Sequence, residues 1–504
     1  MLQPEFRVLL DKHDRQRVSP RRSSLVARGM LLVLGIAGIL APWRTVRAAS
    51  RPEHPNILLI ITDQQQADMM SCAGDRYVKT PALDRLAARG VRFECAYATN
   101  PVCVPSRVSM MTGYLPSHFG MRSNDEHRNQ VPPDALPRAL GWNFRNRGYE
   151  TVYGGKTHWL KGMTPQSIGF DTLTADEREA LAERSAEFLK AEHKKPFFLV
   201  ASFINPHDIC YMAIDDFTRS SHQPLMYPKS HIERQRMAEA MRLPAGVSEL
   251  QFYRDLAPPL PDNFEIPRNE PDGITLDYVQ HWGFLHYART QYDEKRWRLH
   301  RWAYRRLTEM VDAQIGVVLD ALRQTGLSES TIVVFTSDHG EMNGAHRLEH
   351  KSVLYEEAAR IPLIIAGPGV DGGSRVDDKH LISVGLDLLP TLCDFAQVAA
   401  PPGLLGRSVR PLAENRKDVP WRDEVAVESR AGRMLRTRRY KYVIYASGTH
   451  REQLTDLTKD PGEMNNLAED PHYRDVLNEH RRRLFRWVAK VKDPFGRQYV
   501  RDAD

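Results

Sequence analysis

Short apolar runs recur along the chain with room for a helix between them: NILLII at 56–61, YETVY at 149–153, FFLVASFI at 197–204, TIVVFT at 331–336 and IPLIIA at 361–366. None alternates cleanly between apolar and polar positions, which is the pattern of strands buried on both faces of a parallel sheet. Between the runs the period lengthens to that of helices. Residues 82–90 (ALDRLAARG) predict a helix closed by Gly90 at its C-terminal end. A second helix is predicted at about 177–193 and a third at 296–323, where Leu299, Ala303, Leu307, Met310, Ile315, Val318 and Leu322 lie close to one face. Strand and helix alternate, so the fold class is α/β.

Residues 208–290 break the alternation with a polar stretch carrying Pro258, Pro259, Pro261, Pro267 and Pro271. A long Pro-rich excursion is either a binding loop or a surface ornament, and we expect this one to shape the wall of a substrate pocket. Pro401-Pro402-Gly403 then marks a boundary. Beyond it, short strands at 424–429, 433–437 and 440–446 and a helix at about 472–490 predict a smaller α+β subdomain over 401–504, which leaves 49–400 as the main domain.

The longest apolar run, Met30 to Ala41, is about a dozen residues, against about 20 for a membrane span. Arg21, Arg22 and Arg28 precede it, and Val46-Arg47-Ala48 places small residues at the positions a signal peptidase reads. Residues 1–48 are therefore expected to be a signal peptide, and the mature chain an exported protein, periplasmic or secreted, without an integral membrane segment. Arg21-Arg22 followed by Ser-Ser-Leu loosely resembles a twin-arginine export signal.

This segment also accounts for the charge. The whole chain carries +6, but residues 1–50 hold nine basic and three acidic side chains, so the remaining 454 are balanced at zero. A neutral mature chain argues against nucleic acid as a partner, despite basic stretches at Arg433 to Lys441 and Lys295 to Arg306. With 41% hydrophobic and 27% charged residues, it is neither polytopic nor disordered. Five cysteines do not make a disulfide scaffold, and spacing alone does not tell whether any of Cys72, Cys95, Cys210 and Cys393 pair.

The chemistry gathers just after the apolar runs: Thr62-Asp63-Gln64, Lys156-Thr157-His158, Asn205-Pro206-His207 and Ser337-Asp338-His339. In an open parallel sheet the carboxyl ends of the strands share one edge, where ligands bind. An aspartate after a strand is often only a helix cap, but four polar clusters at the same place are not explained that way. Asp63, Gln64, Asp338 and His339 offer oxygen and imidazole ligands to one divalent cation, the carboxylates matching Ca²⁺ or Mg²⁺ and the histidine leaving room for Mn²⁺. Cys103-Val104-Pro105-Ser106-Arg107, with Thr112-Gly113 beyond, places a thiol near a guanidinium. By itself that is either a stabilised thiolate or a small buried apolar residue.

The Cys-x-Pro-Ser-Arg segment with its following Thr-Gly resembles the signature of type I sulfatases. So do Asp63-Gln64, Gly155-Lys156-Thr157-His158, Ser337-Asp338-His339-Gly340, Gly344-Ala345-His346 with Lys351, and the C-terminal Arg439-Tyr440-Lys441-Tyr442 and Asp460-Pro461-Gly462-Glu463, all in the family's order. The resemblance implies an alkaline-phosphatase-like fold with a large mixed, mainly parallel sheet flanked by helices. It implies hydrolysis of sulfate esters, with a sulfated carbohydrate or other small molecule as substrate. It implies that Cys103 is converted by a formylglycine-generating enzyme to Cα-formylglycine, which acts beside one divalent cation, Ca²⁺ in the first place, held by Asp63, Gln64, residue 103, Asp338 and His339. By the same resemblance Arg107 anchors the formylglycine hydroxyl, Lys156 and Lys351 hold the sulfate, His207 assisted by Lys351 protonates the leaving group, and His158 accepts the last proton. His346 stands outside this set. Asp63-Gln64 and Asp338-His339 depart from the commoner Asp-Asp and Asp-Asn pairs and also resemble phosphonate monoester and phosphodiester hydrolases, which with choline sulfatase-like activity form the alternative.

Overall fold

The computed structural model describes residues 54–222 and 231–503, so the expected signal peptide and its twin arginines lie outside the described residues. Among the described residues fourteen strands follow in order: β1 Asn56–Asp63, β2 Gly90–Phe93, β3 Ala96–Tyr97, β4 Glu150–Gly155, β5 Asp171–Thr174, β6 Phe197–Pro206, β7 Thr331–Ser337, β8 Leu363–Ala366, β9 Arg375–Asp377, β10 Ile382–Ser383, β11 Glu424–Glu428, β12 Gly432–Thr437, β13 Tyr440–Tyr445 and β14 Glu452–Asp456. Eight form one sheet in the order β5-β4-β6-β1-β7-β8-β2-β9. It is mixed and mainly parallel: only β8 runs against its neighbours β7 and β2.

The missing alternation in the central strands has a direct cause. In β1, Ile57, Leu59 and Ile61 join a core with the helices Cys103–Thr112 and Val384–Phe395, while Leu58 and Ile60 point into a second core with Pro81–Arg89, Leu181–Lys190 and Glu294–Gln324. All five are almost fully buried, each contributing about 1.5–3 kcal/mol of transfer free energy. The long helix Glu294–Gln324 starts where Asp293 accepts the backbone N–H of Arg296 at 2.7 Å, and it buries Ala303, Leu307, Ile315, Val318 and Leu322. The helix expected at 177–193 is shorter, Leu181–Lys190, because Asp176 ties the preceding residues into a turn by accepting the N–H groups of Arg178 and Glu179.

Gly90 follows the helix Pro81–Arg89, but not as a left-handed stop. Its φ is −135°, it is the first residue of β2, and a Cβ there would lie 2.2 Å from the Ile365 carbonyl oxygen. Close packing of β2 on β8 demands the glycine. The stretch 208–290, read as an irregular excursion, contains the helices Cys210–Ser220, His231–Met241 and Gly283–Gln291 together with two π-helical turns.

The C-terminal strands β11–β14 make an antiparallel sheet. One face packs on the helix Arg474–Val491 through Leu435, Tyr442, Leu454, Leu477 and Leu484. The other face gives Val425, Val427, Met434 and Val443 to a core shared with Tyr97, Leu354 and Tyr355. No helix among the described residues is long and apolar enough to cross a membrane. Cys72, Cys95, Cys103, Cys210 and Cys393 are all free thiols.

Candidate active site

Strand register brings the predicted clusters to one edge. Thr62 pairs with Ser337 across β1 and β7, Asp63 with Pro206 across β1 and β6, and Gly155 with Ser202 across β4 and β6. Gln64, Asp338, His207 and Lys156 are each the next residue of their own strand's path, so all emerge at the carboxyl ends of four adjacent strands. Gly155 makes the exit of β4 feasible: its φ is +89°, and a Cβ would sit 2.1 Å from the Ser202 carbonyl oxygen. The Lys156 N–H then donates to that same carbonyl at 2.8 Å.

Cys103 arrives from a different direction, as the first residue of the fully buried helix Cys103–Thr112. The positive end of the helix dipole therefore faces the site. Ser106 fastens the helix to the loop after β7 by donating to the Asp338 carbonyl at 2.6 Å.

Asp63, Cys103, Asp338 and His339 converge with one potential ligand atom each, all within 4.8 Å of one another. The His339 Nδ1–H donates to the Gly340 carbonyl at 2.9 Å, which leaves Nε2 as a lone pair facing Cys103 Sγ at 3.2 Å, Asp338 Oδ1 at 3.6 Å and Asp63 Oδ1 at 3.8 Å. Two carboxylate oxygens and one imidazole lone pair on a buried wall suit a hard or borderline divalent cation. Gln64 stands beside this group, at a φ of +67°, with its N–H on Asp338 Oδ1 at 3.1 Å and its carbonyl accepting the Tyr304 hydroxyl at 2.6 Å. Its side-chain Oε1 accepts from Lys351 Nζ at 2.7 Å and from the Cys210 thiol at 3.1 Å.

Three cations enclose the two aspartates. Arg107 donates from Nε to Asp338 Oδ2 at 2.6 Å and from a terminal nitrogen to Asp63 Oδ2 at 3.0 Å, and its other terminal nitrogen reaches Ser202 Oγ and the Lys156 carbonyl. The guanidinium thus supports the carboxylates and the loop after β4, and none of its hydrogen bonds goes to Cys103. Lys156 Nζ lies 2.6 Å from Asp63 Oδ2, and Lys351 Nζ 3.2 Å from Cys103 Sγ. Burial would raise the Asp63 carboxyl, but Lys156, His207, Arg107 and Lys351 outweigh it and hold the group well below the usual carboxylate range. Burial and Asp63 likewise oppose ionisation of the Cys103 thiol, yet the nearby cations, Lys351 first and then Lys156, bring it well below its ordinary value. Arg107, Lys156 and Lys351 balance Asp63, Asp338 and an ionised Cys103, so a bound dication would leave the site with a positive surplus suited to an anion.

His207 is held well below the ordinary histidine range, first by burial and then by Lys156 and Lys351, and its Nδ1 meets no hydrogen-bonding protein group. His158 is placed differently: it is exposed, with a φ of +45° in the loop after β4, and donates to none of the other site side chains. His346 is buried and stacked on Tyr355 at 3.9 Å between ring centres. Lys351 is carried by a segment in which Asn343, His346, Arg347, His350 and Ser352 all have positive φ, the kind of stored strain that gathers at functional loops. Cys210, Tyr304 and Glu341, whose carboxylate accepts the Gln64 side-chain N–H, complete the surroundings and were not singled out by sequence. Glu341 follows Ser-Asp-His-Gly directly, which was the one signal present.

The sulfatase family model matches residues 55–398, and a model described as N-sulphoglucosamine sulphohydrolase, C-terminal, matches 344–490. The chain is 32% identical over 481 residues to a Delta 4,5-hexuronate-2-O-sulfatase of Bacteroides thetaiotaomicron, covering 91% of this chain and 93% of that protein. The solved structure of a 2-O GAG sulfatase superposes with a TM-score of 0.72 at 29% identity, covering 90% of this chain and 95% of the other. A phosphonate monoester hydrolase of Agrobacterium radiobacter superposes with a TM-score of 0.66 at 22% identity, covering 87% and 96%, a likeness of fold.

Proposed function

The chain belongs to the type I sulfatase family and is a sulfuric ester hydrolase, and from that premise we propose that it is an exported enzyme that removes sulfate from a sulfated carbohydrate at a formylglycine made from Cys103. The observation that carries the reading is the placement of Cys103: buried, first in its helix, with Sγ 3.2 Å from both Lys351 Nζ and His339 Nε2. A thiol needing only burial has no use for that company. The 2-O-sulfatase likeness over nine-tenths of the chain supports a sulfated uronate or a related glycan unit as substrate.

When present, the formylglycine supplies the nucleophilic hydroxyl, and a divalent cation at Asp63, Asp338 and His339, with Gln64 alongside and Ca²⁺ the first choice, supplies the charge that makes that hydroxyl acidic. The remaining work falls to side chains of the chain itself. Lys156 and Lys351 face the sulfate oxygens, where negative charge grows as the ester bond breaks. Arg107 keeps the two aspartates in register and so fixes where the sulfate sits. His207 gives its proton to the departing sugar oxygen. His158, exposed in the loop after β4, takes the proton that must leave residue 103 and passes it to solvent.

The test joins chemistry to turnover. After co-expression with a formylglycine-generating enzyme, mass spectrometry of the peptide containing residue 103 should show an aldehyde in place of the thiol. The protein should then hydrolyse 4-nitrophenyl sulfate and desulfate members of a panel of sulfated uronates and oligosaccharides, ahead of choline sulfate and of phosphate diesters with the same leaving group. Full turnover by Cys103→Ala would overturn the reading.

A further inference from the structure

A second convergence of ligand groups lies behind Gln64. His300, Glu341 and Glu349 each point one potential ligand atom at a common space, all within 4.8 Å of one another, and all three side chains are buried. Neither ring nitrogen of His300 meets a hydrogen-bonding protein group, and the same holds for Glu349 Oε1. Deeply buried imidazole and carboxylate atoms without partners are rare in folded proteins and call for an occupant.

The neighbours are arranged as supports for such an occupant. Glu341 Oε1 accepts the backbone N–H groups of His350 at 2.7 Å and Asn343 at 3.2 Å, and its other oxygen accepts the Gln64 side-chain amide. His350 Nδ1 lies 3.0 Å from Glu349 Oε2, which leaves Oε1 directed at the cluster. Outer partners that fix the orientation of ligands are a regular part of metal sites.

We propose that His300, Glu341 and Glu349 form a second divalent-metal site, separate from the one at Asp63, Asp338 and His339, and suited to a first-row transition ion. One imidazole with two carboxylates matches Zn²⁺ or Mn²⁺ better than Ca²⁺, which prefers an all-oxygen shell. Bonds of about 2.1 Å to a tetrahedral ion place donors about 3.4 Å apart. His300 Nε2 and Glu341 Oε1 stand 4.0 Å apart, so small side-chain rotations close the site. The competing occupant is a proton, since burial pushes Glu341 up to about 7 and Glu349 well above the usual carboxylate range. His300 favours the metal: its neutral ring offers a lone pair that a shared carboxyl proton would leave unused. Through Glu341 the site also holds the Gln64 amide, whose Oε1 is thereby turned towards Lys351.

Metal content gives a readout independent of turnover and of the sulfatase reading. The full-length protein, stripped with chelator, is equilibrated with Zn²⁺ or with Mn²⁺ and counted by mass spectrometry, and crystals of each are mapped at the metal's absorption edge. An anomalous peak between His300, Glu341 and Glu349 at either edge supports the proposal and identifies the ion. It should persist in Asp63→Asn/Asp338→Asn, which removes the first site. His300→Gln and Glu349→Gln should each weaken binding of this equivalent by more than the ~10–100-fold typical of losing an outer partner. No peak at either edge in the wild-type protein, which requires no variant to fold, would overturn it.

Discussion

In the proposed mechanism His207 carries a proton to a departing oxygen, yet burial and the nearby Lys156 and Lys351 hold its imidazole well below the ordinary histidine range. Substrate resolves the conflict. A unit negative charge about 4 Å away is worth about 4 kcal/mol at an effective dielectric of 20, roughly three pKa units, so a sulfate ester seated between the lysines offsets their repulsion and restores the proton. Activity that depends on the protonated ring falls as pH rises through its pKa. The descending limb of kcat/KM, which reports the free protein, should therefore lie at lower pH than that of kcat, which reports the complex. Parallel pH profiles for the two constants would contradict this coupling. Replacing the ring in His207→Gln should cost about 10²–10⁴-fold on alkyl sulfates and distinctly less on 4-nitrophenyl sulfate, whose leaving group needs little protonation. Equal losses on both substrates would remove His207 as the acid.

At the scale of elements, the site depends on where strands stop, and β4 stops at Gly155. Gly155→Ala forces a Cβ against the Ser202 carbonyl at a φ of +89°, and should cost about 1–3 kcal/mol. Because the same turn aims Lys156, KM for sulfate esters should rise along with the fall in the urea midpoint; a variant with both unchanged would show that the turn does not set the lysine. The elements legible in the sequence were those with one environment throughout. β1, β6 and β7 are covered on both faces, so they read as nearly unbroken apolar runs. β5 (DTLT) and β9 (RVD) lie at the two edges of the sheet, and β14 (EQLTD) at the edge of its own. Such strands are held by backbone pairing and need no apolar run, so the pattern missed them. The site divides in the same way. Asp63, Lys156, His207 and Asp338 were found because they follow strands, and Cys103 because of its neighbours in the chain. Cys210, Tyr304 and Glu341 touch Gln64 only through the fold, from 146, 240 and 277 positions away.

Over the whole molecule, the C-terminal sheet is joined to the catalytic sheet's side by a buried charge cluster as well as by the shared core. Lys441, on β13, places Nζ 2.7 Å from Glu463 and 3.2 Å from Glu356, which immediately precedes Glu357 in the segment packed beneath Gly340. Its side chain is fully buried. Glu356 is held low against burial by Lys441, Arg436 and Arg360, whereas burial pushes Glu463 up to about 7 in spite of Lys441. Lys441→Met removes the shared cation and keeps the volume, leaving buried carboxyls without it, at a cost of about 3–5 kcal/mol when they must stay ionised. The sign of the pH dependence follows from that. In the variant, burial raises the folded-state pKa of Glu463 and Glu356 further above their values in the wild-type protein, while the unfolded value stays near 4.3. A raised folded pKa gives stability that is fully present below the unfolded value and is lost as pH climbs through the folded one. The destabilisation relative to wild type should therefore be smallest near pH 5 and largest near pH 8, measured as the difference in urea midpoints at the two pH values. A difference independent of pH would mean that Lys441 acts by packing its methylene stem, and that the charge cluster does not couple the C-terminal sheet to the loop that carries the site.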